Sequence, residues 1–161
     1  MRALLLLALL AACGREVAAP APVSFRQAGT PIGSTTRGTS ADLLGEWVVS
    51  EAFPGAPPGA PLARPGSRVS LAAGPGGQVE WIIDGTTRPA TPDGPGRYRA
   101  DDLRLWVIWV DDDFRTAAVG TPDGSFGWIM DRPGQSSPDR TLSARAILQF
   151  NGYDASRLVA L

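Results

Sequence analysis

The sequence contains no histidine and no lysine, and it has a single cysteine among its 161 residues. The absence of histidine removes the commonest general base, and no Gly-x-Ser-x-Gly turn or phosphate-binding loop supplies another catalytic motif. An enzyme is therefore the least favoured class of protein, and we expect no catalytic residue, metal site or cofactor. All 15 basic residues are arginine, and with 16 acidic residues they give a net charge of −1, which disfavours nucleic acid as a partner.

Glycine and proline are abundant, at 19 and 15 residues, so the chain favours turns over long helices. One domain is expected at this length. The stretch 103–132 organises that domain, because three apolar runs of strand length are separated by an aspartate run at 111–113 and a Pro-Asp-Gly at 122–124. This pattern predicts a meander of three antiparallel strands, whose edges and apolar face other segments must cover. The aspartate run could instead bind a hard cation, but a solvated turn is the preferred interpretation.

The N-terminus has the pattern of a bacterial targeting segment. A short positive region precedes an apolar run over 3–10, which is too short to be a stable membrane span. Residues 10–14, Leu-Ala-Ala-Cys-Gly, resemble a lipobox, in which the signal peptide is removed and the cysteine is lipidated. We therefore expect residues 1–12 to be a lipoprotein signal peptide and Cys13 to be a membrane anchor. The alternative is an ordinary secretory signal, which would leave a lone thiol without a disulfide partner in an oxidising compartment.

The segment 13–40 is predicted to be the lipidated cysteine and a tether, because it is rich in small residues and proline and has no apolar period. A few residues of this segment, such as Phe25 and Ile32, are expected to lie along the domain. Gly14 follows the cysteine in place of aspartate, which by resemblance to sorted lipoproteins favours the outer membrane, with the protein facing the periplasm. The folded domain is expected to span residues 41–161.

The remaining segments add strands and one late helix. Alternation and turn residues predict strands over 45–53, 67–71, 78–84 and 97–100. A helical turn capped by Ser40 should precede the first of these strands. The loop 54–66 is rich in proline and glycine, and it is predicted to be a lid or binding loop. A helix is expected over 138–150, with Pro138 at its first position, and the C-terminal residues suit a final short strand.

Three motifs, in this order, resemble the lipocalin family and specifically its bacterial outer-membrane lipoproteins. Gly45 and Trp47 match the Gly-x-Trp that opens the family's first strand. Asp113 and Phe114 stand where the family has Asp and Tyr, and Arg132 matches the arginine before the C-terminal helix. The resemblance implies that Arg132 stacks on Trp47 across the closed end of a barrel. A planar guanidinium can lie flat on an indole ring, which a lysine ammonium cannot do.

The element order and the resemblance together predict an all-β fold, an antiparallel up-and-down lipocalin-like barrel with one C-terminal helix. The family barrel has eight strands. The segment between Trp47 and Arg132 contains two loops rich in proline and glycine, so seven strands fit into it more easily than eight. The prediction from sequence is therefore seven or eight strands.

Alternation along the strands also predicts which side chains face the barrel interior. Counting by twos from Arg132, and carrying the same face to neighbouring strands, gives six candidate ligand-binding residues: Val79, Trp81, Val107, Trp109, Trp128 and Met130. Trp106 and Ile108 would then face outward. The resemblance implies a small hydrophobic ligand, such as a fatty acid like palmitate or a lysophospholipid. The alternative is a filled barrel in a structural or partner-binding envelope lipoprotein. The oligomeric state is left open.

Overall fold

A computed structural model describes residues 23–55 and 63–161 of the chain. Its strands are β1 Gly45–Ala52, β2 Arg68–Ala73, β3 Val79–Ile83, β4 Thr86–Pro92, β5 Arg97–Ala100, β6 Leu103–Val110, β7 Thr116–Gly120, β8 Gly127–Asp131 and β9 Val159–Ala160. Its helices are α1 Ser40–Leu43 and α2 Pro138–Phe150, and two single 3₁₀ turns cover Pro75–Gly77 and Ala155–Arg157.

The first eight strands form a closed antiparallel barrel in which each strand pairs with its neighbours in the sequence. The barrel closes at β1, whose first half pairs with β2 and whose second half pairs with β8. Strand β9 then pairs with the end of β1 that β2 leaves uncovered. The predicted fold class, an up-and-down barrel with one C-terminal helix, is confirmed, and the number of barrel strands is eight.

Strand β4 is the element that the sequence did not reveal, because no strand was expected between 84 and 97. Asp84 and Gly85 both have positive φ, at 46° and 83°, and they form the tight turn between β3 and β4. An Asp-Gly pair after an alternating strand is a strong hairpin signal. The prolines at 89 and 92 concealed the strand that follows, because proline is uncommon inside sheets.

A bulge in β6 changes which residues face outward. Val107 pairs with Val119 and Trp109 pairs with Ala118, so Ile108 is the extra residue of the bulge. A bulge places two successive side chains on one face of the sheet. Ile108 and Trp109 therefore both lie on the outside of the barrel, whereas strict alternation would have returned Trp109 to the interior.

The buried apolar side chains form two groups. The lumen cluster fills the barrel interior and consists of Leu43, Trp47, Val49, Ala52, Val69, Leu71, Val79, Trp81, Ile83, Ala90, Tyr98, Ala100, Leu105, Val107, Val110, Ala117, Val119, Phe126, Trp128 and Met130. The helix cluster lies between the outer wall, α2 and the N-terminal segment, and consists of Phe25, Phe53, Ile108, Ala118, Ile129, Ala144, Leu148, Tyr153, Ala155 and Leu158. The barrel wall thus separates two apolar cores.

Helix α2 packs on the outside of the barrel and has the bounds that the sequence predicted. Pro138 occupies its first position, and Gly152, with a φ of 87°, lies just beyond its end. Leu148 is fully buried against the wall. Arg145 donates two hydrogen bonds, of 2.7 and 2.8 Å, to the carboxylate of Glu51 on β1. None of the described helices is both long enough and apolar enough to cross a bilayer.

The N-terminal segment is part of the folded domain from its first described residues. Phe25 is 3% exposed and stacks on Phe53 with ring centroids 5.0 Å apart. Ile32 packs against the helix cluster, and the amide of Thr35 donates to a carbonyl of β6. Phe25 and Ile32 therefore lie along the domain as predicted. Apolar residues of the described part of this segment pack on the barrel, and the bounds predicted for the tether stay a prediction. Cys13 and the predicted signal peptide lie outside the described residues.

Candidate functional site in the barrel

The closed end of the barrel is built around Arg132, which follows β8. The carbon at the centre of its guanidinium lies 3.9 Å from the centroid of the Trp47 ring. Its N–H groups also donate to four backbone carbonyls, those of Asp42 at 3.1 Å, Leu44 at 2.9 Å, Glu46 at 3.3 Å and Phe114 at 3.1 Å. Burial lowers the pKa of Arg132 from its ordinary value, yet arginine stays charged at any physiological pH. One side chain thus ties together α1, β1 and the β6–β7 loop.

Gly45 and Trp47 have separate roles in this arrangement. Gly45 has a φ of 102°, and a Cβ at this position would lie 3.0 Å from Nη1 of Arg132, so a side chain would be both strained and crowded. Trp47 is fully buried, and its Nε1–H donates to the carbonyl of Leu43 at 2.9 Å. The motif therefore combines a backbone that passes close to Arg132 at Gly45 with the indole ring of Trp47, which closes this end of the barrel.

The aspartate run at 111–113 forms the β6–β7 loop. The resemblance selected Asp113, but the carboxylate that accepts hydrogen bonds from the loop amides is that of Asp111. Asp111 is 8% exposed, and its Oδ1 accepts 2.6 Å hydrogen bonds from the amides of Arg115 and Thr116. Asp113 is exposed and forms an ion pair with Arg115. Phe114 has a φ of 55° and packs against the lumen cluster. The interpretation of the whole run as a solvated turn is therefore wrong for Asp111, whose carboxylate is buried and accepts hydrogen bonds from the loop amides.

Five of the six predicted ligand-binding residues face the barrel interior. Val79 and Trp81 on β3, Val107 on β6, and Trp128 and Met130 on β8 belong to the lumen cluster and are at most 4% exposed. Regular alternation along these strands places them there, as the sequence predicted. Their role as ligand contacts stays a prediction.

A series of aromatic rings crosses the lumen. Tyr98 on β5 contacts Trp81 edge to face at 5.4 Å, and Trp81 contacts Trp128 edge to face at 6.3 Å. Phe126 then stacks on Trp128 at 5.6 Å. These separations lie in the range of favourable aromatic pairs. Because β3 and β8 are separated by two strands around the barrel, the contact between Trp81 and Trp128 joins different parts of its wall.

The lumen also contains polar atoms. The Tyr98 hydroxyl donates to Oγ of Ser40 at 3.0 Å, and burial raises the pKa of this hydroxyl. Nε1 of Trp128 lies 3.4 Å from the sulfur of Met130. The Nε1–H of Trp81 is buried and has no hydrogen-bond partner among the described residues. A buried donor without a partner is uncommon in proteins and marks a place where an acceptor would be favourable.

Arg88 is a lumen residue that the sequence reasoning missed. It pairs directly with Trp81, and directly paired residues of antiparallel strands point to the same face of a sheet. Its neighbours Thr87 and Pro89 are exposed, whereas Arg88 is half-buried and Ala90 is buried. The turn at 84–85 could have revealed it, because that turn fixes the register that brings 88 opposite 81.

Trp109 is the predicted ligand-binding residue that does not face the lumen, and this prediction of its orientation is wrong. The bulge at Ile108 turns Trp109 outward, where it packs against the helix cluster. There it lines an outer groove of about 560 Å³, together with the N-terminal segment, Ile147 and Phe150. Trp106 and Ile108 face outward as predicted, and Arg97 lies 4.4 Å over the Trp106 ring.

The acidic side chains are distributed through loops and the outer wall. Within residues 23–55 and 63–161, no three His, Cys, Asp or Glu side chains are arranged so that they could hold a metal ion. The predicted lid over 54–66 falls mostly on residues outside the described part of the chain. Ala63, at its described end, packs against the lumen cluster.

The fold and the closed end define the class of protein, a small antiparallel barrel closed by an arginine stacked on a tryptophan. A family model described as a lipocalin-like domain matches residues 97–161, which is less than half of the chain. A comparison with curated protein sequences gives no match. The family match supports the resemblance to the lipocalin family over residues 97–161, and the eight-stranded barrel is the fold that this resemblance implies.

Three solved structures with a similar fold come from animals. Lipocalin 12 from rat epididymis has a TM-score of 0.60 at 13% identity, over 80% of this chain and 87% of that protein. The cockroach allergen Per a 4 has a TM-score of 0.57 at 13% identity, over 81% and 92% of the two chains. Lobster apocrustacyanin A1 has a TM-score of 0.50 at 17% identity, over 74% and 77%. Identities this low establish the shared barrel fold alone.

Proposed function

We propose that this protein is a lipocalin-type carrier that binds a small hydrophobic ligand, such as a fatty acid or a lysophospholipid, inside its barrel without catalysis. The observation that carries the proposal is the buried Nε1–H of Trp81, which faces an apolar lumen and has no partner among the described residues. An unpaired buried donor costs about 1–3 kcal/mol, which an acceptor on a ligand would offset. An apolar pocket with a few polar groups is the usual form of a small-molecule site.

A structural or partner-binding lipoprotein is the second candidate function. It is favoured by the contact of 6.3 Å between the rings of Trp81 and Trp128, because aromatic rings that meet inside a small barrel can fill it as a packed core. In the carrier, these two rings would change rotamer or separate to admit a ligand. In the structural protein, they would stay in place and the outer wall would be the interacting surface.

Native mass spectrometry of the protein purified without added lipid tests the choice between these two functions. The carrier predicts a bound lipid whose mass is retained in gentle ionisation and lost on activation. The variant Trp109→Phe serves as the control, because Trp109 lies outside the barrel and should leave this lipid bound. A preparation that carries no lipid and takes up none when fatty acids are added would favour the structural protein.

We also propose that Cys13 is lipidated and holds the protein at the outer membrane, facing the periplasm. The support is the lipobox-like sequence around this only cysteine. The chain from Cys13 to Phe25 can extend over at most about 40 Å, so the barrel would lie close to the lipid surface. A second acyl chain makes such anchoring stable.

Membrane fractionation tests the anchor. Cys13→Ser should move the protein to the soluble fraction or leave it unprocessed, while Gly14→Asp should keep it lipidated and shift it toward the inner membrane. Membrane association that stays dependent on detergent in Cys13→Ser would contradict the lipidation, and an unchanged location of Gly14→Asp would contradict the sorting.

A further inference from the structure

We propose that the outer wall of β5 and β6 is a docking surface for a bilayer that contains anionic phospholipid, whose phosphates bind the paired guanidinium groups of Arg99 and Arg104. Arg99 on β5 is paired directly with Arg104 on β6, and both residues are exposed. Arg97 and Trp106 form the neighbouring pair on the same face of the sheet. These four residues are called the outer arginine patch. The inference rests on the proposed anchor at Cys13 and adds a second contact with the membrane.

The outer arginine patch lies on the outside of the barrel, because successive side chains of a strand point to opposite faces of the sheet. The side chains that alternate with the patch belong to the lumen cluster: Tyr98, Ala100, Leu105 and Val107. Trp106 packs against the helix cluster, and the guanidinium of Arg97 lies 4.4 Å over its ring. Arg99 and Arg104 lie beside this covered part of the wall and are open to solvent.

The pairing of Arg99 with Arg104 is unfavourable for the protein on its own. Directly paired residues of antiparallel strands have Cβ atoms about 4.5–5.5 Å apart, and like charges at that separation destabilise the sheet. Within residues 23–55 and 63–161, neither guanidinium forms an ion pair or a hydrogen bond, whereas Arg97 donates to Ser34 at 2.9 Å. A phosphate can accept N–H groups from two guanidiniums at once. The pair therefore has unused donors that suit an anion lying between its members.

The wall around the pair is basic, although the net charge of the chain is −1. The outward positions of β4, β5 and β6 carry three arginines and no aspartate or glutamate. The nearest acidic residues lie in turns, with Asp93 before β5 and Asp101 and Asp102 between β5 and β6. Anionic head groups are therefore attracted to the side of the barrel and not to the tip of this hairpin.

The described chain begins next to this side of the barrel, which favours a bilayer as the anionic partner. Arg104 lines a groove together with residues 121–123 of the β7–β8 loop. Ser24 donates a hydrogen bond of 2.8 Å to a carbonyl of the same loop, so the N-terminal segment joins the barrel there. The chain from Cys13 to Val23 can extend over at most about 35 Å. A lipidated Cys13 would therefore keep the outer arginine patch near the bilayer that holds the anchor.

The test is co-sedimentation of the full chain with lipid vesicles, in a Cys13→Ser parent so that no acyl chain contributes. The vesicles contain phosphatidylcholine alone, or phosphatidylcholine with phosphatidylglycerol as a third of the lipid. The parent is compared with a patch variant, Arg99→Gln with Arg104→Gln, and with a control variant, Arg64→Gln with Arg68→Gln. Arg64 and Arg68 are exposed, and their guanidiniums form no ion pair with the described residues. They lie at the start of β2, which is opposite β6 in the barrel, so the control removes the same charge from the other side.

We expect the parent to bind the anionic vesicles more tightly than the neutral ones, and high salt should remove this difference. An arginine close to an anionic surface strengthens binding about fivefold, so the patch variant should bind the anionic vesicles at least about tenfold more weakly than the parent. The control variant should lose less than about threefold, because its arginines face away from the surface. Arg99→Lys with Arg104→Lys should keep most of the affinity, since the charge stays.

The outcomes separate this inference from the proposed function. Equal binding to the two kinds of vesicle, or equal losses in the patch and control variants, would overturn the docking surface and leave Arg99 and Arg104 as solvated surface residues. A lysine variant that binds as weakly as the patch variant would also overturn it. Since the parent has no acyl chain, these results leave the anchor and the carrier in place, and a failed anchor would show only in the fractionation of Cys13→Ser. If the patch variant does not fold, the single variants Arg99→Gln and Arg104→Gln give the same comparison, with a loss of about fivefold expected from each.

Discussion

The guanidinium of Arg132 lies 3.9 Å over the indole of Trp47, and this contact joins the end of β8 to the start of β1. The same strands close the barrel, so the pair is located where the first and last barrel strands meet. Four carbonyls accept hydrogen bonds from the same guanidinium. Arg132 therefore stacks on Trp47 and also donates hydrogen bonds to three carbonyls within residues 42–46 and to the carbonyl of Phe114.

Arg132→Ala should lower the free energy of unfolding by about 2–4 kcal/mol, because it removes a partly buried cation–π contact and the donors of several carbonyls. Arg132→Lys should recover little of this loss, since an ammonium cannot stack or reach all four acceptors. Arg97→Ala is the control, because Arg97 lies over Trp106 at the surface. Denaturant melts of Arg132→Ala, Trp47→Leu and the double variant measure the coupling, and strictly additive losses would contradict the contact.

Gly45→Ala should destabilise the protein by about 1–3 kcal/mol, through a strained positive φ together with the approach of the new Cβ to Arg132. Gly85→Ala is a matched control, because Gly85 also has a positive φ but a Cβ added there would have no neighbouring atom within 4 Å. Thermal melts should show the larger loss at Gly45. Equal losses would mean that backbone strain alone requires this glycine.

Glu51→Gln should weaken the docking of α2 and cost roughly 1–3 kcal/mol, because Glu51 is buried and its carboxylate accepts both hydrogen bonds from Arg145. Glu80→Gln, on the outer face of β3, should change stability by less than about 0.5 kcal/mol. Hydrogen exchange of the α2 amides adds a local readout. Exchange that stays as slow in Glu51→Gln as in wild type would show that apolar packing alone holds the helix.

Stability should fall at alkaline pH through Tyr153. Burial raises the pKa of its hydroxyl from 10.0 to about 12, and the neutral hydroxyl donates to the carbonyl of Thr121 at 2.7 Å. Since the folded pKa lies above the unfolded one, this contribution is complete below pH 10 and is lost as pH rises toward 12. The loss should be roughly 2–3 kcal/mol. Tyr153→Phe should be less stable than wild type at pH 8, but its free energy of unfolding should fall less between pH 10 and 12. An equally steep fall in this variant would contradict the assignment to Tyr153.

Much of the fold could be predicted from the sequence, because local patterns determine it. Alternation placed Trp81 and Trp128 correctly in the lumen, and the Pro138 start and Gly152 end bounded α2. The stacking of Arg132 on Trp47 followed from resemblance to a family in which the motif recurs. Each of these features depends on residue types within a few positions or on a recognised motif.

The features that were missed depend on register. A bulge at Ile108 cannot be read from an unbroken apolar run, and it reversed the orientation of Trp109. Arg88 became a lumen residue only once β4 was paired with β3, and Asp111 became buried because loop amides converge on it. Pairing between strands decides all three, and composition does not encode it.

The carrier hypothesis is tested most directly by titrating the protein with a fatty acid while tryptophan emission is recorded. The five tryptophans divide into Trp47, Trp81 and Trp128 in the lumen cluster and Trp106 and Trp109 on the outer wall. We predict saturable binding whose emission change is greatly reduced in Trp81→Phe and Trp128→Phe and kept in Trp109→Phe. No change of emission with any chain length, or a change lost in Trp109→Phe alone, would contradict binding inside the barrel.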